Sequence, residues 1–294
     1  MTVDRPSSKK LFTRRRFLAA SACAAAAGIY SGEIERHWIE VSQRQVPLRG
    51  LSSAFDGLRI AQLSDIHLDE FTEPFFVRDA VNRINSLNPD IVVLTGDYVT
   101  YGLFEDNLAK GSEWLCANLL NQLKCPQRYA VVGNHDVKVG RERVIEALTA
   151  NKISVLDNAY QPIERSGGRF WLAGVDDPVE GVPNPDKAIP ESIRNIANQP
   201  IVLLCHAPDW ADNLLHHPAG KAVSLMLSGH THGGQVRLPL LGAFFLPVLG
   251  RKYVKGWFRK DNLLFHVNRG IGTVGVPFRL DCPPEITLIT LRSA

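Results

Sequence analysis

The stretch Leu58-Arg-Ile-Ala-Gln-Leu-Ser-Asp-Ile-His67 opens with a short apolar run and ends in a polar motif, and a helical pattern follows it. This predicts a buried strand over 58–63 that delivers Asp65 and His67 to its carboxyl end. The same phrase recurs downstream. Residues 91–94 end in Thr95-Gly96-Asp97, and residues 128–132 end in Gly133-Asn134-His135-Asp136. Between these runs the pattern predicts helices over 73–86, 105–123 and 141–151. The first has Thr72 as its expected N-cap and Pro74 in its first turn. Alternation of short apolar strands with helices predicts a layered α/β fold whose strands are buried between helices.

The second half of the chain keeps this logic with more strands. Residues 170–173 lead to Gly174-Val175-Asp176-Asp177, residues 201–205 to His206, and residues 222–227 to Ser228-Gly229-His230-Thr231-His232-Gly233-Gly234. Residues 263–267 and 285–291 read as strands without a polar terminus, and 182–190, with three prolines, as a surface loop. No repeat or low-complexity segment interrupts the chain from residue 50 onward, so 50–294 is expected to be one domain. Ligands in such sheets bind beyond the carboxyl ends of the strands. Five separate strands here bring Asp, Asn or His to that one edge.

The N-terminus reads differently. Arg5, Lys9, Lys10, Arg14, Arg15 and Arg16 precede an uncharged, alanine-rich stretch over 17–30 that is short for a membrane span. Residues 1–31 are therefore expected to be an export signal, with cleavage among 22–28 and an uncleaved anchor both compatible. Thr13-Arg14-Arg15-Arg16-Phe17-Leu18 resembles the twin-arginine signal, which implies delivery of a folded protein to the periplasm or cell envelope by the twin-arginine export machinery. Cys23 after Ser21-Ala22 matches a lipoprotein box poorly.

Without that segment the charge argument changes. The 294 residues carry 33 basic and 30 acidic side chains, but only 27 basic against 29 acidic remain after residue 31. The basic excess belongs to the leader, so no nucleic-acid partner is expected. The five cysteines lack any Cys-x-x-Cys spacing. Cys116 and Cys125 could pair in an oxidising compartment, while buried free thiols are the default reading.

Of nine histidines, His67, His135, His206, His230 and His232 follow directly on expected strands, among Asp65, Asp97, Asn134 and several glycines. Imidazole and carboxylate together suit borderline divalent ions such as Mn²⁺, Fe²⁺ and Zn²⁺. So many ligands call for two ions, and an Asp that donates both oxygens can bridge them. An Asn adds an oxygen without charge and keeps the centre attractive to an anion. His37, His216, His217 and His266 lie outside this set, with surface or packing roles expected. Asp176 and Asp177 are open between pocket and loop roles, and Asp69 reads as a solvated loop carboxylate.

Asp65-Ile-His67, Gly96-Asp97, Gly133-Asn-His-Asp136, His206 and Gly229-His-Thr-His232 resemble, in order, the five blocks of the calcineurin-like metallophosphoesterase family, over residues 58–235. With the leader, the Gly-His-Thr-His-Gly-Gly-Gln block and the late Arg269-Gly-Ile-Gly-Thr-Val-Gly-Val-Pro277, the chain is most similar to the exported bacterial phosphodiesterases of that family. The resemblance implies two packed mixed β-sheets flanked by helices, a four-layer α/β/β/α sandwich. It implies that Asp65, His67 and His232 hold one metal ion, that Asp97 bridges, and that Asn134, His206 and His230 hold the second. His135 would stabilise the phosphoryl charge or protonate the leaving alcohol, and Asp136 would orient His135. The reaction implied is hydrolysis of a phosphodiester or pyrophosphate by a metal-bridging hydroxide.

One further stretch bears on substrate. Leu238 opens a run without charge to residue 250, and Arg251, Lys252, Tyr253, Lys255 and Trp257 follow. This fits a membrane-surface contact over 238–257 and a lipid-linked substrate, with a hydrophobic hairpin packed on the sheet as the competing reading. Two other functions stay open: a broad envelope phosphomonoesterase, favoured by an Arg placed for a terminal phosphate, and a metal-loaded lipid-headgroup binder without turnover. A dizinc peptidase is disfavoured, because Gly-Asn-His-Asp has no place in it.

Overall fold

The computed structural model describes residues 13–68, 71–102, 111–194, 196–238 and 240–294. Two six-stranded mixed sheets pack face to face. The first has the order β1-β14-β2-β3-β4-β5 and the second β12-β13-β9-β8-β7-β6. In chain order the strands of the first half are β1 (Glu40–Leu48), β2 (Arg59–Leu63), β3 (Ile91–Thr95), β4 (Gln127–Val131), β5 (Ser154–Val155), β6 (Ala159–Arg165) and β7 (Gly168–Gly174). Those of the second are β8 (Ile201–Leu204), β9 (Val223–Ser228), β10 (Arg237–Leu238), β11 (Gly242–Ala243), β12 (Gly256–Lys260), β13 (Leu263–Val267) and β14 (Glu285–Ser293). The helices are α1 (Arg14–Ile29), α2 (Pro74–Leu87), α3 (Ser112–Leu120), α4 (Asn134–Ala150), the single turns α5 (Pro185–Ala188) and α6 (Glu191–Arg194), and α7 (Ala211–His216).

The layers follow from period-two side-chain placement in strands buried on both faces. Along β2, Ala61 and Leu63 face α2, α3 and α4, where they meet Val77, Ile84, Leu120 and Leu148. Ile60 faces the other way, in a core shared with Val93, Val202, Leu204, Leu225 and Leu227. The outer face of the second sheet, with Leu203, Met226 and Phe265, is covered by Ile193, Trp210 and Leu214. The result is the four-layer α/β/β/α sandwich. The parallel strands β2, β3 and β4 of one sheet, and β8 and β9 of the other, all end at the same edge.

A polar tie joins the sheets just below that edge. Gln62, fully buried, donates to the Ser228 carbonyl at 2.9 Å and to Thr95 Oγ1 at 3.1 Å, and its Oε1 faces His266 Nδ1 at 3.0 Å. Gln62→Leu removes all three bonds; the Ser228 carbonyl and Thr95 Oγ1 keep Asn268 N and Ser64 Oγ, but buried His266 Nδ1 loses its partner. The substitution is expected to lower unfolding stability by about 1–3 kcal/mol, measured by denaturant titration.

Several elements differ from their sequence expectation. The sheet reaches N-terminal of residue 50, because β1 pairs in parallel along all of β14, from Glu40↔Glu285 to Leu48↔Ser293. Its largely exposed side chains hid it. The edge strands β6 and β12 escaped for the same reason, and β6 is joined to β7 by a two-residue turn at Ser166-Gly167, both with positive φ. Glu73, not Thr72, is the N-cap of α2, and Thr72 is buried. The helix expected over 105–123 is α3, shorter at both ends where described; 103–110 lie outside the described residues. The helix expected from 141 starts instead at Asn134, since Asp136 sits at its third position and accepts from the Gly133 N–H at 2.9 Å; Gly140, at φ 141°, breaks it midway. Cys116 and Cys125 are buried, as are Cys205 and Cys282, and none of the four forms a disulfide.

The N-terminal helix is longer than its uncharged stretch. After α1 it continues through a π turn (Tyr30–Ile34) and a 3-10 turn (Glu35–His37). Arg14–His37 is long and apolar enough, by length and composition, to cross a membrane.

Candidate metal centre and active site

Each expected ligand sits on the first residues after a strand, and the backbone there is bent sharply. Asp65, His67, Asp97, His230 and His232 all have φ between 48° and 74°, a left-handed conformation that costs a side-chain-bearing residue free energy. Strain repeated at five converging positions is a mark of a site rather than of a fold. The chains then pass so close that two glycines are required. A Cβ on Gly133 would lie 2.2 Å from Asp97 Oδ1, and one on Gly229 would lie 1.9 Å from Ser64 Oγ and 2.2 Å from Asp65 Oδ2. Gly229→Ala must push Asp65 aside, and it is expected to weaken metal affinity about 10–100-fold with little change in fold, read by metal titration and circular dichroism.

The side chains converge as two clusters. Asp65, His67 and His232 form one, and Asp97, His206 and His230 the other; His67, Asp97 and His135 link them. His67 Nε2 lies 3.0 Å from His232 Nε2, which lies 3.5 Å from Asp65 Oδ1. Asp97 Oδ2 lies between the clusters, 3.5 Å from His67 Nε2 and 3.1 Å from His206 Nε2. Asn134 Oδ1 is 3.2 Å from His206 Nε2. Ligand atoms about 2 Å from a shared ion stand about 3 Å apart, so these nitrogens and oxygens are spaced to share cations. The backbone fixes which nitrogen is offered. His206 Nδ1 donates to the Thr95 carbonyl at 2.7 Å, leaving Nε2 to the site, whereas His230 Nε2 donates to the Val248 carbonyl at 2.6 Å, leaving Nδ1.

His135 and Asp136 lie beside these clusters but are not coupled as expected. Asp136 is fully buried and its carboxylate accepts from the main-chain N–H groups of Asp97 (2.8 Å), Tyr98 (2.8 Å) and Gly133 (2.9 Å). It therefore positions the Asp97 turn rather than the His135 ring. The ring is instead oriented by Tyr101, whose N–H donates to His135 Nδ1 at 2.9 Å. With Nδ1 accepting, the proton of the neutral ring is on Nε2. A main-chain donor leaves no side-chain trace in the sequence, which is why Tyr101 went unread.

Electrostatics agree with a cation-binding role. Burial lifts the Asp65 carboxyl to about 7, and burial with neighbouring Asp97 lifts that of Asp136 to about 8. Burial also holds His67 and His230 down at about 3, keeping their lone pairs free. For Asp97, burial pushes upward, but His206 and His135 outweigh it and hold the carboxyl well below its usual range. Burial disfavours charge on His206, yet Asp97 raises it well above a normal imidazole. That pair holds one proton between buried groups, and a cation bound there displaces it.

The remaining assignments are structural. Asp176 and Asp177 take loop roles: Asp176 accepts from Val182 N at 2.7 Å and pairs with Arg141 at 3.0 Å, and Asp177 accepts from Val179 N at 2.9 Å. Asp69 lies outside the described residues. His37 meets Glu73, His216 is exposed, His217 bonds the Ala219 N–H, and His266 packs on Trp257. Arg279, unremarked in the sequence, is fully buried and donates to the carbonyls of Arg269, Gly270, Gly272 and Cys282. It thus holds the 269–282 segment under Asp65, where the Ile271 and Gly272 N–H groups reach Ser64 and Asp65 carbonyls.

The stretch 238–257 divides. Its aromatic residues fold inward while Arg251 and Lys252 stay exposed: Tyr253 is buried and bonds Asp212, Lys252 pairs with Asp212 at 2.6 Å, and Trp257 packs on His266. Its apolar half does not, with Leu240, Leu241, Phe244, Phe245 and Val248 exposed. Phe244 and Phe245 line one wall of a cleft of about 780 Å³ whose floor is Asp97, Asn134, His135, His230 and His232.

Comparison with known proteins agrees with this geometry. Residues 58–234 match the family model described as calcineurin-like phosphoesterase. Relatives align over nearly the whole chain. The metallophosphoesterase YkuE of Bacillus subtilis is 32% identical over 97% of this chain and 99% of its own. Phosphodiesterase YaeI of Escherichia coli is 33% identical over 96% and 100%. A transmembrane protein with metallophosphoesterase domain from Danio rerio is 31% identical over 85% of this chain and 56% of its own length. The chain is a phosphoester hydrolase that belongs to the calcineurin-like metallophosphoesterase family.

Proposed function

We propose that the chain is a two-metal phosphodiesterase of the cell envelope, exported through the twin-arginine route and acting on a diester or pyrophosphate with a lipid part. Asp65, His67 and His232 would hold one divalent cation and Asn134, His206 and His230 the other, with Asp97 between; Mn²⁺, Fe²⁺ and Zn²⁺ all suit these donors. Such a pair supplies an acidified water and neutralises phosphoryl oxygens. The protein supplies the rest. Asp136 and the Thr95 and Val248 carbonyls fix the ligands, and His135, held by Tyr101, points an Nε2–H donor into the cleft for the phosphoryl oxygen or the departing alcohol. One P–O bond is broken by water, giving an alcohol and a phosphomonoester from a diester, or two phosphate-bearing products from a pyrophosphate.

The observation that carries this reading is the pair of clusters meeting at Asp97 beneath an open cleft. A diester is favoured over a monoester because no Lys or Arg is among the described residues lining that cleft, and a terminal dianionic phosphate calls for one. Arg14, Arg15 and Arg16 on one end of an apolar helix support export of the domain beyond it.

The test is turnover of a chromogenic phosphodiester and its monoester by chelator-stripped full-length chain given back Mn²⁺. Metal-dependent turnover favouring the diester, with two ions bound per chain, is the expected result. Two bound ions without turnover of either ester would instead promote the headgroup-binding reading, and faster monoester turnover the phosphomonoesterase.

A further inference from the structure

The helix that precedes the domain is not a detached leader. Ser31, Gly32 and Glu35 are buried against the 277–282 segment. The Ser31 carbonyl accepts from Arg279 N at 3.0 Å, Glu35 Oε1 accepts from Cys282 N at 2.7 Å, and Arg36 pairs with Glu73 at 2.6 Å. The absence of a side chain on Gly32 lets the helix pass Phe278, which a Cβ there would approach to 3.0 Å. Above this seat the helix has no packing partner among the described residues: no residue of α1 is buried, and Phe17, Leu18 and Ile29 are more than half exposed. α1 itself, 16 residues and about 24 Å long, packs on no protein surface among the described residues, and Arg14–His37 as a whole has the length and composition to cross a membrane.

Where the helix enters the domain, the cleft opens. Gly28 and Ser31 line it together with Phe244, Phe245, Val276 and Phe278. Of the residues lining the cleft, Phe245 is 77% and Phe244 70% exposed, and Leu240, on the same loop, is fully exposed. Scattered apolar residues on a surface are ordinary; two exposed phenylalanines lining a catalytic cleft, on a loop with exposed Leu240 and Leu241 and at the foot of an apolar helix, are not.

We infer that the N-terminal helix is retained as an anchor and forms one wall of the substrate cleft, so that the mouth and the 240–248 loop sit in the lipid surface. The substrate is then an amphiphilic phosphodiester drawn from the bilayer, its tail lying between Phe245 and the helix and its phosphate over the metal ligands. The substrate half of this inference rests on the phosphodiesterase reading; the placement of the loop in lipid does not.

The test uses the full chain in phosphatidylcholine–phosphatidylglycerol vesicles. In a Cys23→Ser background, the fluorophore NBD attached through Phe245→Cys is expected to emit blue-shifted and to be shielded from dithionite. The same label through Glu164→Cys, an exposed position at the opposite end of the sheets, is expected to bleach at once. The manganese-loaded chain is then given methyl and hexadecyl 4-nitrophenyl phosphate, which share a reacting centre and differ only in tail. The hexadecyl ester is expected to be favoured in kcat/KM by at least about tenfold, and Phe245→Asp to bring the ratio near one. A dithionite-accessible label at 245, or equal turnover of the two esters, overturns the inference and leaves the phosphodiesterase reading standing. A shielded label with turnover of neither ester sinks that reading, and the substrate half with it.

Discussion

Asp97→Asn is expected to lower kcat/KM for a phosphodiester by about 10³-fold or more, and to reduce bound metal from two ions per chain to one or none. The side chain does two separable things. Its Oδ1 accepts the His135 N–H at 2.9 Å, which an asparagine oxygen repeats, so the turn and the α4 N-terminus keep their shape. Its Oδ2 lies between His206 at 3.1 Å and His67 at 3.5 Å, the point where the two clusters meet. There the amide would offer N–H donors to cations, and the negative charge that would hold two dications close together is lost. A fall of 10³-fold corresponds to about 4 kcal/mol of transition-state stabilisation, more than a lost hydrogen bond explains. The measurements are steady-state kinetics, metal content by mass spectrometry, and a thermal melt. An unchanged melt with lost metal and lost activity is the expected combination. Two metals retained with full turnover would remove Asp97 from between the ions.

The sequence was most legible where chemistry is carried by side chains in a fixed relation to a strand. Every strand that delivers Asp65, Asp97, Asn134, His206 or His230 was readable, since an apolar run buried on both faces needs a turn at its end and a polar residue there is conspicuous. What was not readable depends on main-chain groups and on exposed edges. Tyr101, Thr95 and Val248 act through an N–H or a carbonyl, which any residue supplies. Gln62 and Arg279 look like ordinary polar residues until both are found fully buried. β1 lacks an apolar run because it is an edge strand whose partner, β14, supplies the buried face. The aromatic residues of 238–257 misled for the opposite reason. Tyr253 and Trp257 have the composition of an interfacial belt, but Asp212 and His266 were close enough to fold them inward.

His135→Ala is expected to leave both metals bound and to lower kcat by about 10²–10⁴-fold for substrates with a poorly departing alcohol. The residue is not in the coordination pattern of either three-residue ligand cluster assigned to an ion. Its ring stands edge-on to His67 at a centroid distance of 4.8 Å, on the cleft side. The Tyr101 N–H, by occupying Nδ1, keeps the ring neutral with its proton on Nε2, and burial lowers its affinity for a second proton. That arrangement permits two roles, a hydrogen bond to a phosphoryl oxygen or transfer of the proton to the leaving oxygen, and leaving-group dependence separates them. A donor to the phosphoryl group loses similar rate for every ester when removed. A proton donor to the alcohol loses little with 4-nitrophenolate, which departs without help, and most with an alkoxide. A series of aryl and alkyl diesters on wild type and His135→Ala reads this directly as a change in slope of log kcat against leaving-group pKa. The lipid-part reading favours the steep outcome, because the alcohol released from such a diester is an alkyl alcohol and cannot leave unprotonated. Parallel slopes would assign His135 to the phosphoryl oxygens alone and leave protonation of the alcohol to water.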